Sequence, residues 1–510
     1  MKRLMTLAVL AAAACSQQQY GNPVLYLDYS DPDVVAVDGG YWLTSSSFNC
    51  TPGLQILHSD NLVDWEIAGS ALPGGPETYW DEAAGKPIEM TGPEKTPDAG
   101  MFPRRPTGAP IEHGNGVWAP SIRYHGGLFW IFWGDPDYGI YQVHAEDPRG
   151  GWSKPVCVIA GKGFIDPCPL WDDDGRVWLV HAWANSRCGI KSVLHLCELN
   201  SDCTACISEQ KMVFDGRENG NVTVEGPKFY KKDGWYWIFA PAGGVKPGWQ
   251  LAMRSRDVDG PYEWKTVLHQ GETDICGPHQ GGWVTDSHGR DWFMHFEDRY
   301  AWGRVVHLQP MSWTPDGWPM IGCDTDGDGI GEPVAGWKAP GRLHKDKPVC
   351  NEYQWQANPK SYVSDGSASL WNANLKLRKV EGPDSSELLS LDLPLSDGLR
   401  RGIVVMGSDY ATIYAESDGE GRSRVCVAIC HKADKGGTEE IAYSSPLPDG
   451  CGNVLLKIEI EEGEGLGESS SDIPAACRFS WNADSAGWQD TGVGFCARAG
   501  RWIGAKTGCF

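Results

Sequence analysis

Beyond its first few residues the sequence lacks any apolar run approaching the ~18–20 residues of a membrane-spanning helix, so the expectation is a soluble mature body. Positive charge is also scarce: 44 Lys and Arg stand against 67 Asp and Glu, a formal net charge of −23. Gripping phosphate backbones takes clustered Lys and Arg, and nucleic acid is therefore not an expected partner. A tight cysteine framework is missing too. Sixteen of the 17 Cys follow Cys15, and they are scattered along the chain. Several, such as Cys168 and Cys426, lie inside apolar strand-like runs and read as small buried residues. The C-x-x-C spacing of Cys203 and Cys206 is a weak signal for a metal or redox pair, and one or two disulfides stay open.

What is plentiful is Gly (64), Pro (34) and Trp (25). That mixture predicts many turns between short aromatic-rich strands rather than helices. With 510 residues and 41% hydrophobic content, the chain can build two to four well-filled domains.

The N-terminus reads as an export signal. Lys2 and Arg3 precede an apolar stretch at 4–14 that is too short to span a bilayer but suits a signal-peptide core. Cleavage before Cys15 by ordinary A-x-A processing is one reading. The other, favoured by the polar Ser16-Gln17-Gln18-Gln19 that follows, is a bacterial lipoprotein signal in which Cys15 carries the anchor and opens the mature chain. Either way the expected location is outside the cytoplasm, in the periplasm or anchored at the outer membrane, with residues 16–24 as a tether. A lipid anchor is then the only expected membrane contact.

A repeat dominates residues 25–320. A turn carrying Gly, followed by an aromatic strand, recurs as VDGGYWLTSSS from Val37, YHGGLFWIFWG from Tyr124 and DDDGRVWLVHAW from Asp172. It returns as KKDGWYWIFAPA from Lys231 and DSHGRDWFMHFED from Asp286. Each is a hairpin signal, and five alike units predict a five-bladed β-propeller, where a β-sandwich would not require the repetition. A polar Pro/Gly-rich insertion at 75–112 lengthens the first interval.

The strands before these turns open on Asp31, Trp118, Asp166, Glu225 and His279. Taken as equivalent positions, they bring three carboxylates, a Trp and a His to one end of the propeller axis. Such a set suits glycoside hydrolysis: a neutral acid protonates the leaving oxygen, an ionised base activates water, and a third carboxylate helps keep the acid protonated. Trp118 offers a flat face to a sugar ring. A hard-cation site is the competing use of three acids and a His.

The motifs YSDPDVV, HGNGVWAPSIRYH, GFIDPCPLWDDDG, TVEGPKFYK, GPHQGGWV and GRVVHLQPM resemble those of glycoside hydrolase family 43, in the branch of β-xylosidases and α-L-arabinofuranosidases. The resemblance implies a five-bladed propeller, Asp31 as general base, Glu225 as general acid, and Asp166 as the group that tunes the acid and orients substrate. It further implies that Phe48 and Trp118 wall the terminal-sugar subsite and that Arg304 reaches the sugar and the carboxylates. His279 falls in the central channel, where relatives hold a calcium or water; no cofactor is required, and a structural calcium is the one metal implied. Inversion of the anomeric centre is the implied outcome. The expected activity is release of terminal β-D-xylose or α-L-arabinofuranose from xylan or arabinoxylan oligosaccharides. The alternatives are an arabinan- or galactan-directed relative and a carbohydrate-binding lipoprotein without catalysis.

Other residues take plainer readings. His113 and His181 are expected in pocket wall or core, Asp172-Asp173-Asp174 in a solvated turn, and the Asn221 sequon without consequence. The loop from Asp324 to Asp328 begins like a calcium loop but has Ala335 at the twelfth position where an EF-hand requires Glu. Residues 321–347 read as a linker, and 348–510, with alternating strands such as GIVVMGSDYATIYAE, as an antiparallel β-sandwich. The same resemblance implies a sandwich loop that narrows the pocket, although the segment 378–399 is short and acidic for that purpose.

Overall fold

The computed structural model describes residues 18–72, 80–81, 86–87, 113–346, 350–356, 369–396, 398–418, 420, 422–464 and 472–510. The export signal at 1–15 and most of the 75–112 insertion lie outside them.

Five four-stranded antiparallel sheets follow one another in chain order. Blade 1 comprises Asp33–Val37, Gly40–Thr44, Gly53–Ser59 and Glu66–Leu72; blade 2 comprises Trp118–His125, Leu128–Asp135, Gly139–Ala145 and Val156–Ala160. Blade 3 runs through Phe164–Trp171, Val177–Trp183, Val193–Leu199 and Lys211–Asp215. Blade 4 holds Lys228–Lys232, Trp235–Ala242, Trp249–Ser255 and Glu263–Leu268, and blade 5 His279–Thr285, Asp291–Asp298, Arg304–Trp313 and Pro319–Ile321. The first strand of each blade is an edge of its sheet, and these edges meet around the axis.

Apolar clusters form between neighbouring blades rather than within one. Trp42, Ile56, Ile131 and Trp133 join blades 1 and 2, while Ile165, Leu194, Ile238 and Leu251 join 3 and 4. A blade alone therefore exposes both faces, and closing the ring is what buries them. Closure comes from the segment before blade 1. Leu25 pairs with Val306 of blade 5 through two backbone hydrogen bonds of 3.2 and 3.0 Å. The expected tether at 16–24 is shorter than predicted, because Gln19–Gly21 pairs with Gly336–Lys338. Tyr20 drives this: its ring is buried beside Trp292, and its hydroxyl donates to the Leu308 carbonyl at 2.8 Å. The 321–347 connection is accordingly laid against the propeller rather than hanging free.

The C-terminal part is a sandwich of two antiparallel sheets. One has seven strands in the order Gln354–Trp355, Lys376–Lys379, Lys506–Cys509, Arg400–Met406, Tyr410–Ser417, Ser423–Cys430 and Glu439–Pro446. The other has four: Ser385–Asp392, Asn453–Glu462, Ala475–Ala483 and Gln489–Ala497. Their facing residues, including Ile413, Val427, Leu456 and Phe479, form one core. Ala301 and Trp302, from a turn of blade 5, are part of that same core. The propeller thus plugs its own aromatic into the sandwich. The 16 cysteines from Cys50 onward are all free thiols here, Cys203 and Cys206 included.

Candidate active site

The entry to each inner strand has a shared backbone. Asp31, Ala119, Asp166, Gly226 and Gln280 have φ of 55°, 34°, 56°, 57° and 36°, and the first four precede Pro. The true repeat position is therefore this left-handed residue. Trp118, Glu225 and His279 stand one place before it, which corrects the one-to-one equivalence expected from sequence. Left-handed backbone is uncommon for Ala or Gln and easier for Asp and Gly. At blade 4 only Gly fits, since a Cβ on Gly226 would meet the Gln280 side chain at 2.7 Å. Pairing shifts at the same entries of blades 2, 3 and 5, a distortion that re-aims side chains beside functional sites. The consequence is that two successive residues per blade can face the axis end.

There they line a cavity of about 330 Å³ containing Asp31, Asp166, Glu225, Phe48, Trp118 and Arg304. Asp31 is buried and doubly held. Arg304 Nη1 donates to its Oδ1 at 3.0 Å, and Ser46 Oγ donates to its Oδ2 at 2.6 Å. Ser46 is fixed in turn by the Ala119 N–H at 2.7 Å. A carboxylate has about four lone-pair sites, so Asp31 keeps acceptor capacity for water. Asp166 takes the Gly226 N–H at 2.8 Å on Oδ2. Burial, then the neighbouring Glu225 and Asp31 charges, holds its carboxyl well above the usual carboxylate range. Glu225 is the more open of the three, 28% exposed, and its Oε1 lies 2.9 Å from His279 Nε2.

The walls are aromatic. Phe48, itself left-handed at φ 50°, is pinned by two backbone bonds to Val117. Trp118 donates from Nε1 to the Gly114 carbonyl at 2.8 Å, and Arg187 packs over its ring at 5.6 Å. The third aromatic is Trp502, edge-on to Trp118 at 6.3 Å. It arrives from the sandwich, on the turn between Gln489–Ala497 and Lys506–Cys509. The sandwich does narrow the pocket, but through this turn and not through 378–399. Asp28 secures it by accepting the Gly504 N–H at 2.8 Å while also accepting the Arg304 N–H at 2.9 Å.

His279, expected in the central channel, is buried at the entry of blade 5's inner strand. Its Nε2 faces Glu225, and its buried Nδ1 has no hydrogen-bond partner. Among the described residues, the one group of three His, Cys, Asp or Glu close enough to share an ion is His269, Asp326 and Asp328, on the surface. Asp324 spends its carboxylate on the N–H groups of Gly327 and Gly329. His113 stacks on Trp371 and His181 is a core residue bonded to Gln210, as the plainer readings expected. Asp172 departs from its solvated reading: it is buried, accepts from Lys231 and from the Tyr236 hydroxyl at 2.5 Å, and its carboxyl is lowered. Asn221 is buried, accepting from Trp249 Nε1 at 3.0 Å.

The model of "Glycosyl hydrolases family 43" matches residues 20–85 and 97–319. A Xylanibacter ruminicola protein assigned as a β-xylosidase is 38% identical over 521 residues, covering 96% of this chain and 86% of that protein. A β-xylosidase of Formosa agariphila is 26% identical over 553 residues, covering 96% and 87%. The crystal structure of xylan β-1,4-xylosidase from Bacillus halodurans superposes with a TM-score of 0.75 over 96% of both chains at 22% identity, a likeness of fold. This chain belongs to glycosyl hydrolase family 43 and is a glycoside hydrolase.

Proposed function

We propose that the protein is an exo-acting, inverting glycosidase that releases terminal β-D-xylose or α-L-arabinofuranose from xylan- or arabinoxylan-type oligosaccharides. The observation that carries this reading is the convergence of Asp31, Asp166 and Glu225, from three blades, in one aromatic-walled cavity of about 330 Å³. In the proposed reaction Asp31 removes a proton from water as the water attacks the anomeric carbon. Glu225 delivers its proton to the leaving oxygen, and Asp166 orients the sugar and biases the proton toward Glu225. Proton removal and delivery are both covered by carboxylates, so we propose no cofactor. The names of the two curated relatives, both β-xylosidase, support a terminal pentose as substrate. A relative from Bacteroides ovatus, 27% identical over 342 residues and covering 62% of this chain and 56% of its own, is named a non-reducing-end α-L-arabinofuranosidase, which keeps the second sugar in view. Export, with Cys15 lipidated, remains part of the proposal.

Purified protein assayed side by side on aryl β-D-xylopyranoside and aryl α-L-arabinofuranoside is expected to turn over at least one, and Glu225→Ala to lose most turnover of natural oligosaccharides. No turnover of either sugar contradicts the pentosidase reading. Trp502 is 47% exposed at the cavity rim, so Trp502→Ala is expected to act on binding. KM should rise about two- to tenfold, the equivalent of the ~0.5–1.5 kcal/mol of one aromatic contact, with kcat nearly unchanged. An unchanged KM would remove Trp502 from the sugar site.

A further inference from the structure

Below the cavity the propeller axis is filled by charge. Lys228, the first residue of blade 4's inner strand, is fully buried, and its Nζ donates to the Pro120 carbonyl of blade 2 at 2.8 Å. Blades 2 and 4 are separated by blade 3, so the side chain crosses the axis to reach that carbonyl. No carboxylate lies within ion-pair contact of it among the described residues.

The charges around it pair off in a specific way. Asp31 is held by Arg304 at 3.0 Å and Asp33 by Arg123 at 2.6 Å, while Glu225 shares a hydrogen bond with His279 at 2.9 Å. Arg123 is further occupied by Cys168 Sγ at 2.9 Å and by the Tyr230 ring. Among the described residues, Asp166 has no cation and Lys228 no carboxylate within ion-pair distance, although both are buried. Gly226, whose N–H holds Asp166, stands two residues before Lys228 in the same segment. Both side chains are buried, so the field between them is less screened than it would be at the surface. A buried ammonium with a single carbonyl partner is also expensive to keep unless something offsets it.

We propose that Lys228 is a positioning residue whose ammonium counters the burial and like charge acting on Asp166, and so biases the proton shared within the Asp166–Glu225 pair toward Glu225, where it can be donated. The inference rests on the acid role given to Glu225 above. Burial and the Glu225 and Asp31 charges push Asp166 toward its neutral form, while the Gly226 N–H and Lys228 oppose them. Without the ammonium the proton moves to Asp166, and Glu225 is left as an anion that cannot protonate a leaving group. Lys228 itself gives up no proton in the cycle.

The test compares Lys228→Gln with the charge-keeping Lys228→Arg on two substrates, an unactivated pentosyl oligosaccharide and an aryl pentoside whose phenolate leaves unaided. Lys228→Gln is expected to lose at least about tenfold in kcat on the oligosaccharide, part of the ~10²–10⁴ that positioned acid catalysis supplies, and under about threefold on the aryl substrate. Lys228→Arg should keep the wild-type ratio of the two. Equal losses on both substrates, the signature of a merely structural lysine, or no loss at all, would overturn the proposal. A second measurement does not need the variant to fold. The infrared difference between wild type and Asp166→Asn at neutral pH, both carrying carbon-13-labelled glutamate so that any change at Glu225 falls at shifted frequency, should show loss of an unshifted ionised carboxylate; loss of an unshifted neutral carboxyl band overturns the proposal. Wild-type protein inert on every pentoside would instead defeat the functional reading, and the infrared result would still decide the state of Asp166.

Discussion

Asp31→Asn is expected to lower turnover by about 10³-fold or more on good and poor leaving groups alike, near the upper end of what a positioned base supplies. The substitution preserves shape. An Asn carbonyl can still accept from Arg304 Nη1, which now binds Asp31 at 3.0 Å, and the amide can still meet Ser46 Oγ. What disappears is the negative charge that takes a proton from water. Because water must be activated whichever group leaves, an activated aryl substrate should not rescue the variant. Steady-state kinetics on both substrate kinds checks this, and wild-type-like turnover would remove Asp31 as base. A thermal melt serves as control, since Arg304 is buried and Asp31 is its nearest carboxylate.

Glu225→Ala is expected to separate the two substrate kinds. On oligosaccharides the loss should reach about 10²–10⁴, the range of general acid catalysis. On an aryl glycoside with a readily departing phenolate it should be at least tenfold smaller, because that oxygen leaves without a proton. His279, whose Nε2 faces Glu225 Oε1 at 2.9 Å, would lose its partner but sits too deep to replace the acid. Equal losses on both substrates would contradict the acid role.

Much of this could be read from the residues. The five Gly-containing hairpins announced the blades because a tight turn between aromatic runs leaves a local, repeated signature. Asp31, Asp166 and Glu225 stood out because each lies at a Pro-marked strand start. Equivalence was misjudged by one residue at Trp118, Glu225 and His279, since a left-handed kink, invisible in composition, lets two neighbours face the same end. Ser46 and Trp502 were missed for a different reason. One buttresses Asp31 from 15 residues away and the other arrives from a separate domain, contacts that no local pattern encodes. Lys228 did carry a signal: two residues after Gly226, strand alternation places it on the axis side, where a lysine needs explaining. The docking of Tyr20 and the burial of Asp172 likewise depended on partners far along the chain.

The most direct test of the central claim is a proton NMR time course of xylo-oligosaccharide and arabinoxylo-oligosaccharide hydrolysis by the purified protein, read before mutarotation. A single pentose should appear first from the non-reducing end, with its anomeric configuration inverted. A retained anomer, cleavage within the chain, or no released pentose would contradict the account.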